Sequence, residues 1–168
     1  MENERPARYL MDSDNEYIEV RNTDEGKGLF AARDIPCGTV LLKIEGKQIS
    51  FADTVALGEN ESYCLQVGMD KYIALHFPFF LSNHACCPNC GVTENLEFRT
   101  IKSVKKGEEL RWDYSTSMLE RHWTMQCECG CSNCRKEITD FDLLPRSVQQ
   151  KYLDQQLVQP FIAAHLGY

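Results

Sequence analysis

The cysteines of this 168-residue chain limit its possible folds more than any other feature, because seven of the nine fall in two short runs. The first run holds Cys86, Cys87 and Cys90, and the second holds Cys127, Cys129, Cys131 and Cys134. An odd number of cysteines and an N-terminus without the order of a secretion signal argue against a disulfide framework. Clustered thiols in a reducing compartment instead indicate a bound metal.

Length and composition predict one soluble domain with a terminal appendage. The chain is long enough for one sizeable core, and its 43% hydrophobic and 26% charged residues are typical of a globular protein. No apolar run approaches the roughly 20 residues that span a bilayer. A net charge of −7 weighs against direct nucleic-acid binding and favours a cationic peptide partner. We therefore expect an intracellular protein that works away from membranes.

Short extended runs at close spacing predict a mostly β body. The strand-like runs are YIEVR (17–21), GLFAARDI (28–35), TVLLKIEG (39–46), SYCLQV (62–67), KYIAL (71–75), NLEFRTIKSV (95–104) and LRWDY (110–114). The two runs that flank the turn GMD are predicted to form a hairpin. Residues 46–61 fit either a helix or a loop.

One helix is predicted beyond the second cysteine run, over residues 145–158. Pro145 suits a helix start, and Val148, Tyr152 and Leu153 would share one face. Pro160 should end or kink this helix. The pattern favours packing of the helix on the sheets over a role in binding.

The second cysteine run has the spacing of a metal site. Cys127, Cys129 and Cys134 form a C-x-C-x4-C pattern, and soft thiolates on a loop favour Zn(II). Three ligands leave one position, which Cys131 or a cysteine of the first run could fill. Cys87 and Cys90 form a C-x2-C pair, so a second metal site is a less favoured alternative.

Five segments together resemble one family, the SET-domain protein lysine methyltransferases. NHACCPN at 83–89, GEELRWDYS at 107–115 and CECGCSNCR at 127–135 resemble its asparagine, DY and post-SET motifs. GKGLFA at 26–31 resembles its first glycine-containing segment, and 62–75 resembles the hairpin before the asparagine motif. Any one of these motifs is weak, but all five occur in family order.

The resemblance implies a fold and a division of the chain. The fold would be a mostly β, β-clip-like SET fold with several small sheets and a pseudoknot, followed by a zinc-binding post-SET loop and a C-terminal helix. The implied units are a flexible N-terminus (1–16), a SET domain (17–116), a post-SET zinc segment (117–137) and a C-terminal helical extension (138–168).

The resemblance also implies a zinc site and a binding site for S-adenosylmethionine. Cys86 would join Cys127, Cys129 and Cys134 around one structural Zn(II). The cofactor would be held by the main chain of Gly26, Lys27 and Gly28, by Asn83 and His84 at the adenosine end, and by Tyr114. His84 would act chiefly through its main chain, so no acid–base role is assigned to it.

Three aromatic residues would handle the substrate lysine. Tyr114, of the DY motif, would place its hydroxyl near the sulfonium methyl group and the amine, as a catalytic residue. Tyr63 would be a second catalytic tyrosine of the channel, although a packing role across the strands is an equal alternative. Trp112 would line the channel, and its large ring favours monomethylation.

The function implied by the resemblance is transfer of methyl groups to lysine in a basic protein segment, such as a histone tail. Work in the nucleus follows if histones are the substrate, and work in the cytoplasm otherwise. The alternative is a catalytically silent, SET-like, zinc-stabilised module that binds proteins. The two differ in whether a cofactor is bound.

Overall fold

The computed structural model describes residues 15–24 and 26–168, so nearly all of the predicted N-terminal unit (1–16) lies outside the described residues. The described chain alternates short strands with short helices. The strands are β1 (Ile18–Thr23), β2 (Gly26–Ala31), β3 (Val40–Lys43), β4 (Gly46–Ile49), β5 (Cys64–Gly68), β6 (Lys71–Leu75), β7 (Cys90–Val92), β8 (Glu97–Thr100), β9 (Met125–Gln126) and β10 (Glu137–Ile138). The α-helices are α1 (Phe51–Ala56), α2 (Arg146–Asp154) and α3 (Pro160–His165).

The strands form several small antiparallel sheets, which confirms the predicted mostly β architecture. Two sheets are two-stranded, β1–β2 and β9–β10, and two are three-stranded, with orders β3–β8–β7 and β4–β6–β5. The predicted hairpin is β5–β6. The segment left open between helix and loop contains β4, α1 and a 3-10 helix at Gly58–Tyr63.

The described residues contain three groups of buried apolar side chains, the smallest of which surrounds Cys86 and Cys127. The first lies between the small sheets and includes Leu29, Phe79 and Phe98, each at most 2% exposed. The second lies under the C-terminal helices and includes Phe141 and Ile162. Full burial of an apolar side chain of this size contributes about 1.5–3 kcal/mol, so these residues supply much of the stability of a body with so little regular structure.

The asparagine motif and the DY motif lie side by side. The Ala85 amide donates to the Trp112 carbonyl (3.0 Å), and the Trp112 amide donates to the Asn83 carbonyl (3.2 Å). The Asn89 side-chain amide donates to the main-chain carbonyl of Glu109 (2.8 Å). The prediction of a sheet strand at LRWDY was wrong, because this segment divides its main-chain hydrogen bonds between two partners and forms no continuous ladder. The Leu110 amide donates to the Leu29 carbonyl of β2 (2.7 Å), whereas Trp112 pairs with the asparagine motif.

The predicted helix at 145–158 is α2, which is shorter than predicted, and a separate helix, α3, follows it at Pro160–His165. α2 ends at Asp154 because Gln156 adopts a left-handed conformation (φ 56°), a common way to terminate a helix. Pro160 then begins α3 at a position where its missing N–H costs nothing, so it starts a helix where the sequence predicted an end or a kink. Of the helices in the described chain, none has the length and apolar character needed to cross a membrane.

The C-terminal extension packs directly on β7. Gly91 leaves room for the buried Leu157, since a Cβ at Gly91 would lie 2.6 Å from a Leu157 methyl carbon. The Gln159 side chain donates to the Thr93 carbonyl (3.3 Å), and its main-chain amide donates to the Thr116 carbonyl (3.1 Å). The extension is thus joined to the chain shortly after each of the two motifs.

Candidate active site and metal centre

Four cysteine thiols converge at the end of the β9–β10 hairpin. The sulfur atoms of Cys86, Cys127, Cys129 and Cys134 all lie within 4.8 Å of one another. Cys86 comes from the asparagine motif, and the amide of Cys127 donates to the Lys136 carbonyl (2.8 Å), which closes the loop between the hairpin strands. Four soft donors at this separation fit a tetrahedral Zn(II).

The local environment shifts the pKa values of the thiols in this cluster in different directions. Burial opposes ionisation of Cys129, but main-chain amides of Cys86 and Cys131 and the neighbouring thiols donate hydrogen bonds that lower its pKa to about 7. Burial raises the pKa of Cys127 well above its ordinary value. Cys129 would therefore bind a metal readily as a thiolate, whereas binding by Cys127 would require the metal to displace a proton from its thiol.

The remaining cysteines of the two runs take other places. Cys87 and Cys131 form a disulfide, 44 residues apart in sequence. The sequence argued against a disulfide framework, and the structure contains this one bridge, so Cys131 does not complete the metal set. Cys90 is fully buried in the core, where burial raises its pKa. The alternative metal site at Cys87 and Cys90 is thus not formed.

A cleft of about 560 Å³ lies between the glycine segment, the asparagine motif and the post-SET loop. Most of the residues predicted to hold S-adenosylmethionine line it: Gly26, Lys27, Asn83, His84 and Tyr114. A drug-sized molecule requires a pocket of roughly 300–1,000 Å³, so the cleft has adequate room for a nucleoside-containing ligand. The residues present therefore fit this cofactor.

Gly28 is not among the residues that line the cleft, and the structure gives it a different task. A Cβ at Gly28 would lie 2.5 Å from Glu109 Oε1 and 3.1 Å from Asn83 Nδ2. Those two side chains form a hydrogen bond in which Asn83 Nδ2 donates to Glu109 Oε1 (2.8 Å). Gly28 therefore makes room for the carboxylate that orients Asn83.

The side chain of His84 is buried and connects two parts of the site. Burial lowers its pKa to about 4, so the ring is neutral near pH 7. Nδ1 accepts a hydrogen bond from the Tyr114 amide (3.2 Å), and Nε2 lies 3.4 Å from the Cys86 sulfur. The ring thus joins the backbone of the DY motif to the thiol cluster.

A second, smaller cavity of about 60 Å³ lies on the other side of Tyr114. Its walls include Phe79, Phe80, Trp112, Tyr114 and Trp123, and two carboxylate residues, Glu61 and Glu120. Trp112 is 5% exposed, and its indole nitrogen donates to the Ser82 hydroxyl (2.9 Å), which fixes the ring. A narrow aromatic space with acidic residues suits a positively charged side chain.

Tyr114 is one of a few residues that line both the cleft and the small cavity. Its hydroxyl donates to the Ser82 carbonyl (2.6 Å), and its ring packs 4.9 Å from the ring of Trp112. A phenol that has donated its single proton can act only as an acceptor toward further groups. The Tyr114 oxygen is thus held at the boundary between the two spaces as a hydrogen-bond acceptor.

Tyr63 lies elsewhere than the channel interpretation expects. Tyr63 lines the large cleft but not the small cavity, and it is 43% exposed. The centre of its ring lies 5.1 Å from that of Phe80. Phe80 lines both spaces, so Tyr63 supports the boundary from the cleft side. Tyr63 ends a 3-10 helix and packs on Phe80 rather than across the strands, and its role as a second catalytic tyrosine stays a prediction.

The motifs did not identify Trp123, which lines both spaces. Its amide donates to Glu120 (3.3 Å), and its ring lies 6.3 Å from the ring of Tyr114. It is one of two tryptophans in the chain and stands between the DY motif and the second cysteine run. A large aromatic residue outside every motif was the sequence feature that could have identified Trp123 as part of the site.

Comparison with known proteins identifies the region that contains these motifs. The family model described as SET domain matches residues 26–115. The chain is 32% identical over 139 residues to the histone-lysine N-methyltransferase trr of Drosophila melanogaster, a match that covers 73% of this chain and 6% of that protein. It is 29% identical to the human histone-lysine N-methyltransferases 2D, over 138 residues, and SETD2, over 136 residues. These matches cover 73% and 70% of this chain but only 2% and 5% of the relatives.

A solved structure supports the fold. The crystal structure of KRYPTONITE in complex with mCHG DNA and SAH superimposes with a TM-score of 0.59 at 21% sequence identity. The match covers 73% of this chain and 29% of that chain. At this level of identity the likeness concerns the arrangement of the backbone, and it agrees with the small antiparallel sheets described above.

Proposed function

The chain belongs to the SET-domain family, and from that premise we propose that it is an S-adenosylmethionine-dependent protein lysine N-methyltransferase. The observation that carries the proposal is the position of Tyr114, which lines both a cleft large enough for the cofactor and a narrow aromatic cavity suited to a lysine side chain. The histone-lysine methyltransferases among its relatives support the same activity.

The proposed cofactor site is the large cleft. Lys27 and Gly26 would contact the cofactor from the glycine segment, and Asn83, oriented by Glu109, would hold its adenosine end. When bound, S-adenosylmethionine supplies an electrophilic methyl group on a sulfonium sulfur. The chain's own contribution is to align the two reactants and to exclude water.

The small cavity would make the lysine amine reactive. A lysine with a pKa of about 10.4 is almost fully protonated at neutral pH, and its ammonium group cannot attack. Enclosure by Trp112, Phe79 and Trp123 removes water from the amine and so disfavours the charged form. Tyr114, whose hydroxyl donates its proton to the Ser82 carbonyl, would offer its oxygen as an acceptor and so orient the amine toward the methyl group.

The four thiolates would hold one structural Zn(II). Cys86 belongs to the asparagine motif and the other three ligands to the post-SET loop, so the ion would join the two walls of the proposed cofactor cleft. Soft sulfur donors and a closed set of four fit a structural rather than a catalytic site.

We place the substrate among basic protein segments, with histone tails as one candidate that would put the protein's work in the nucleus. The net charge of −7 favours a cationic peptide, and Glu61 and Glu120 add negative charge at the cavity itself. The same charge disfavours direct binding of nucleic acid, although the solved structure of KRYPTONITE contains DNA.

The test is incubation with labelled S-adenosylmethionine and a panel of histones and whole-proteome extract, followed by mapping of modified sites by mass spectrometry. We expect label on lysine. The control is Asn83→Ala, which should reduce labelling because it removes a proposed cofactor contact. Label on another residue type, or no label with any substrate, would contradict the proposal.

Calorimetry with S-adenosylhomocysteine separates the enzyme from the alternative, a catalytically silent module stabilised by zinc. A silent module would contain the metal and fail to bind the nucleoside. The well-formed cleft of about 560 Å³ favours the enzyme.

A further inference from the structure

Asp113, the residue before the proposed catalytic Tyr114, has a fully enclosed carboxylate with several donors around it. One oxygen accepts hydrogen bonds from the Arg135 guanidinium (2.8 Å) and the Ser115 amide (3.2 Å). The other accepts a hydrogen bond from the Tyr152 hydroxyl (2.8 Å). Because a buried carboxylate is costly unless its hydrogen bonds are made, these donors determine where Asp113 sits.

Tyr152 reaches Asp113 from the C-terminal extension, outside the residues matched by the family model. It lies on α2 and is 1% exposed, with its ring packed in the C-terminal apolar cluster. The contacts of Leu157 with Gly91 and of Gln159 with Thr93 hold the extension against the SET domain. The Tyr152 hydroxyl is therefore presented from a rigid support.

The main chain of the DY motif is fixed on both sides of the Tyr114 side chain. Its own amide donates to His84 Nδ1 (3.2 Å), and the next amide, that of Ser115, donates to Asp113 (3.2 Å). Tyr152 supports the second of these bonds by holding the carboxylate that accepts it. The position of the Tyr114 oxygen between the two spaces depends on this segment of backbone.

We propose that Tyr152 is a positioning residue for methyl transfer, which acts through Asp113 on the backbone of Tyr114. This inference rests on the proposed function. A displacement of about 1 Å at a reacting centre can cost about 100-fold in rate, so a hydroxyl that contacts neither reactant can still control turnover. The C-terminal extension then contributes to catalysis and does more than cover the core.

The first test is Tyr152→Phe, which removes the hydroxyl and keeps the packed ring. We expect kcat to fall about tenfold, as for loss of a hydrogen bond to a charged acceptor, with KM and the Kd for S-adenosylhomocysteine changed less than twofold. The matched control is Val148→Ala, on the same helix and in the same apolar cluster, which carries no hydrogen-bonding group. It should keep kcat within twofold.

A double variant tests the route through Asp113. In an Asp113→Asn background, Tyr152→Phe should cost little more, because the charged acceptor is already gone. An equal tenfold loss in both backgrounds would overturn the inference. An equal loss of kcat in Val148→Ala would also overturn it, since the effect would then come from general loosening of α2.

Amide hydrogen exchange gives a readout that needs no activity. Tyr152→Phe should accelerate exchange of the Ser115 amide by about tenfold, and Val148→Ala should leave it unchanged. If the wild-type protein transfers no methyl group, the proposed function fails, while the exchange rates still decide whether Tyr152 holds the DY motif. Unchanged exchange in Tyr152→Phe would refute the positioning role.

Discussion

Substitution of Gly28 by alanine separates two explanations for the glycine segment. The resemblance to the family implies that Gly28 lets the main chain approach the cofactor. In the structure, the added Cβ would instead meet Glu109 Oε1 at 2.5 Å, closer than two such atoms can lie. The carboxylate would have to move, and the hydrogen bond that orients Asn83 would be lost.

The size of the effect follows from that hydrogen bond. A bond to a charged acceptor contributes about 1.5–3 kcal/mol to the state that contains it. The Glu109 side chain is 20% exposed, so water partly compensates and the lower end of the range applies. A loss of about 1.5 kcal/mol corresponds to a roughly tenfold weaker Kd for S-adenosylhomocysteine, measured by calorimetry.

The double variant Gly28→Ala with Glu109→Ala shows which explanation is right. Glu109→Ala alone removes the hydrogen bond and should weaken binding about tenfold. If the Cβ acts through Glu109, adding Gly28→Ala to that variant should change the Kd less than twofold. A further tenfold loss in the double variant would refute our reasoning, because it would mean that the Cβ touches the cofactor itself.

Three further predictions concern the metal and the chemistry. Cys86→Ser should lose most bound zinc in elemental analysis, whereas Cys131→Ser should keep about one ion per chain, because Cys131 lies outside the four-thiol set. Retention of zinc by Cys86→Ser would contradict the assigned ligands. Tyr114→Phe should reduce kcat by about 100-fold and leave the Kd for S-adenosylhomocysteine nearly unchanged; full turnover would remove its catalytic role. The wild-type product should be mainly monomethyl-lysine by mass spectrometry, and Trp112→Phe, which opens the cavity, should increase dimethyl-lysine; mainly trimethylated wild-type product would show that Trp112 does not limit the cavity.

The sequence predicted well those features that leave local patterns. The short strands follow from alternation of apolar residues, and the β5–β6 hairpin follows from its turn. Spacing alone left the fourth metal ligand open between Cys131 and the first run. The resemblance selected Cys86, which the structure brings to the other three thiols.

Contacts between distant polar residues left no such pattern. Nothing in the sequence associated Tyr152 with Asp113, 39 residues earlier, or Cys87 with Cys131. Both pairs form because the C-terminal part of the chain folds back on the asparagine and DY motifs. The prediction of a strand at LRWDY failed for a related reason, since this segment pairs at single positions with two distant partners, β2 and the asparagine motif.

The contact between Gly91 and Leu157 has a consequence for the order of synthesis. β7 lies in the middle of the chain, but the side chain that covers it at Gly91 is made only after 65 further residues, as counted along the sequence. A nascent chain that has reached the second cysteine run therefore still exposes the apolar surface of β7 to solvent. This interval, when the chain can bind other polypeptides, is the stage at which a chaperone would matter most.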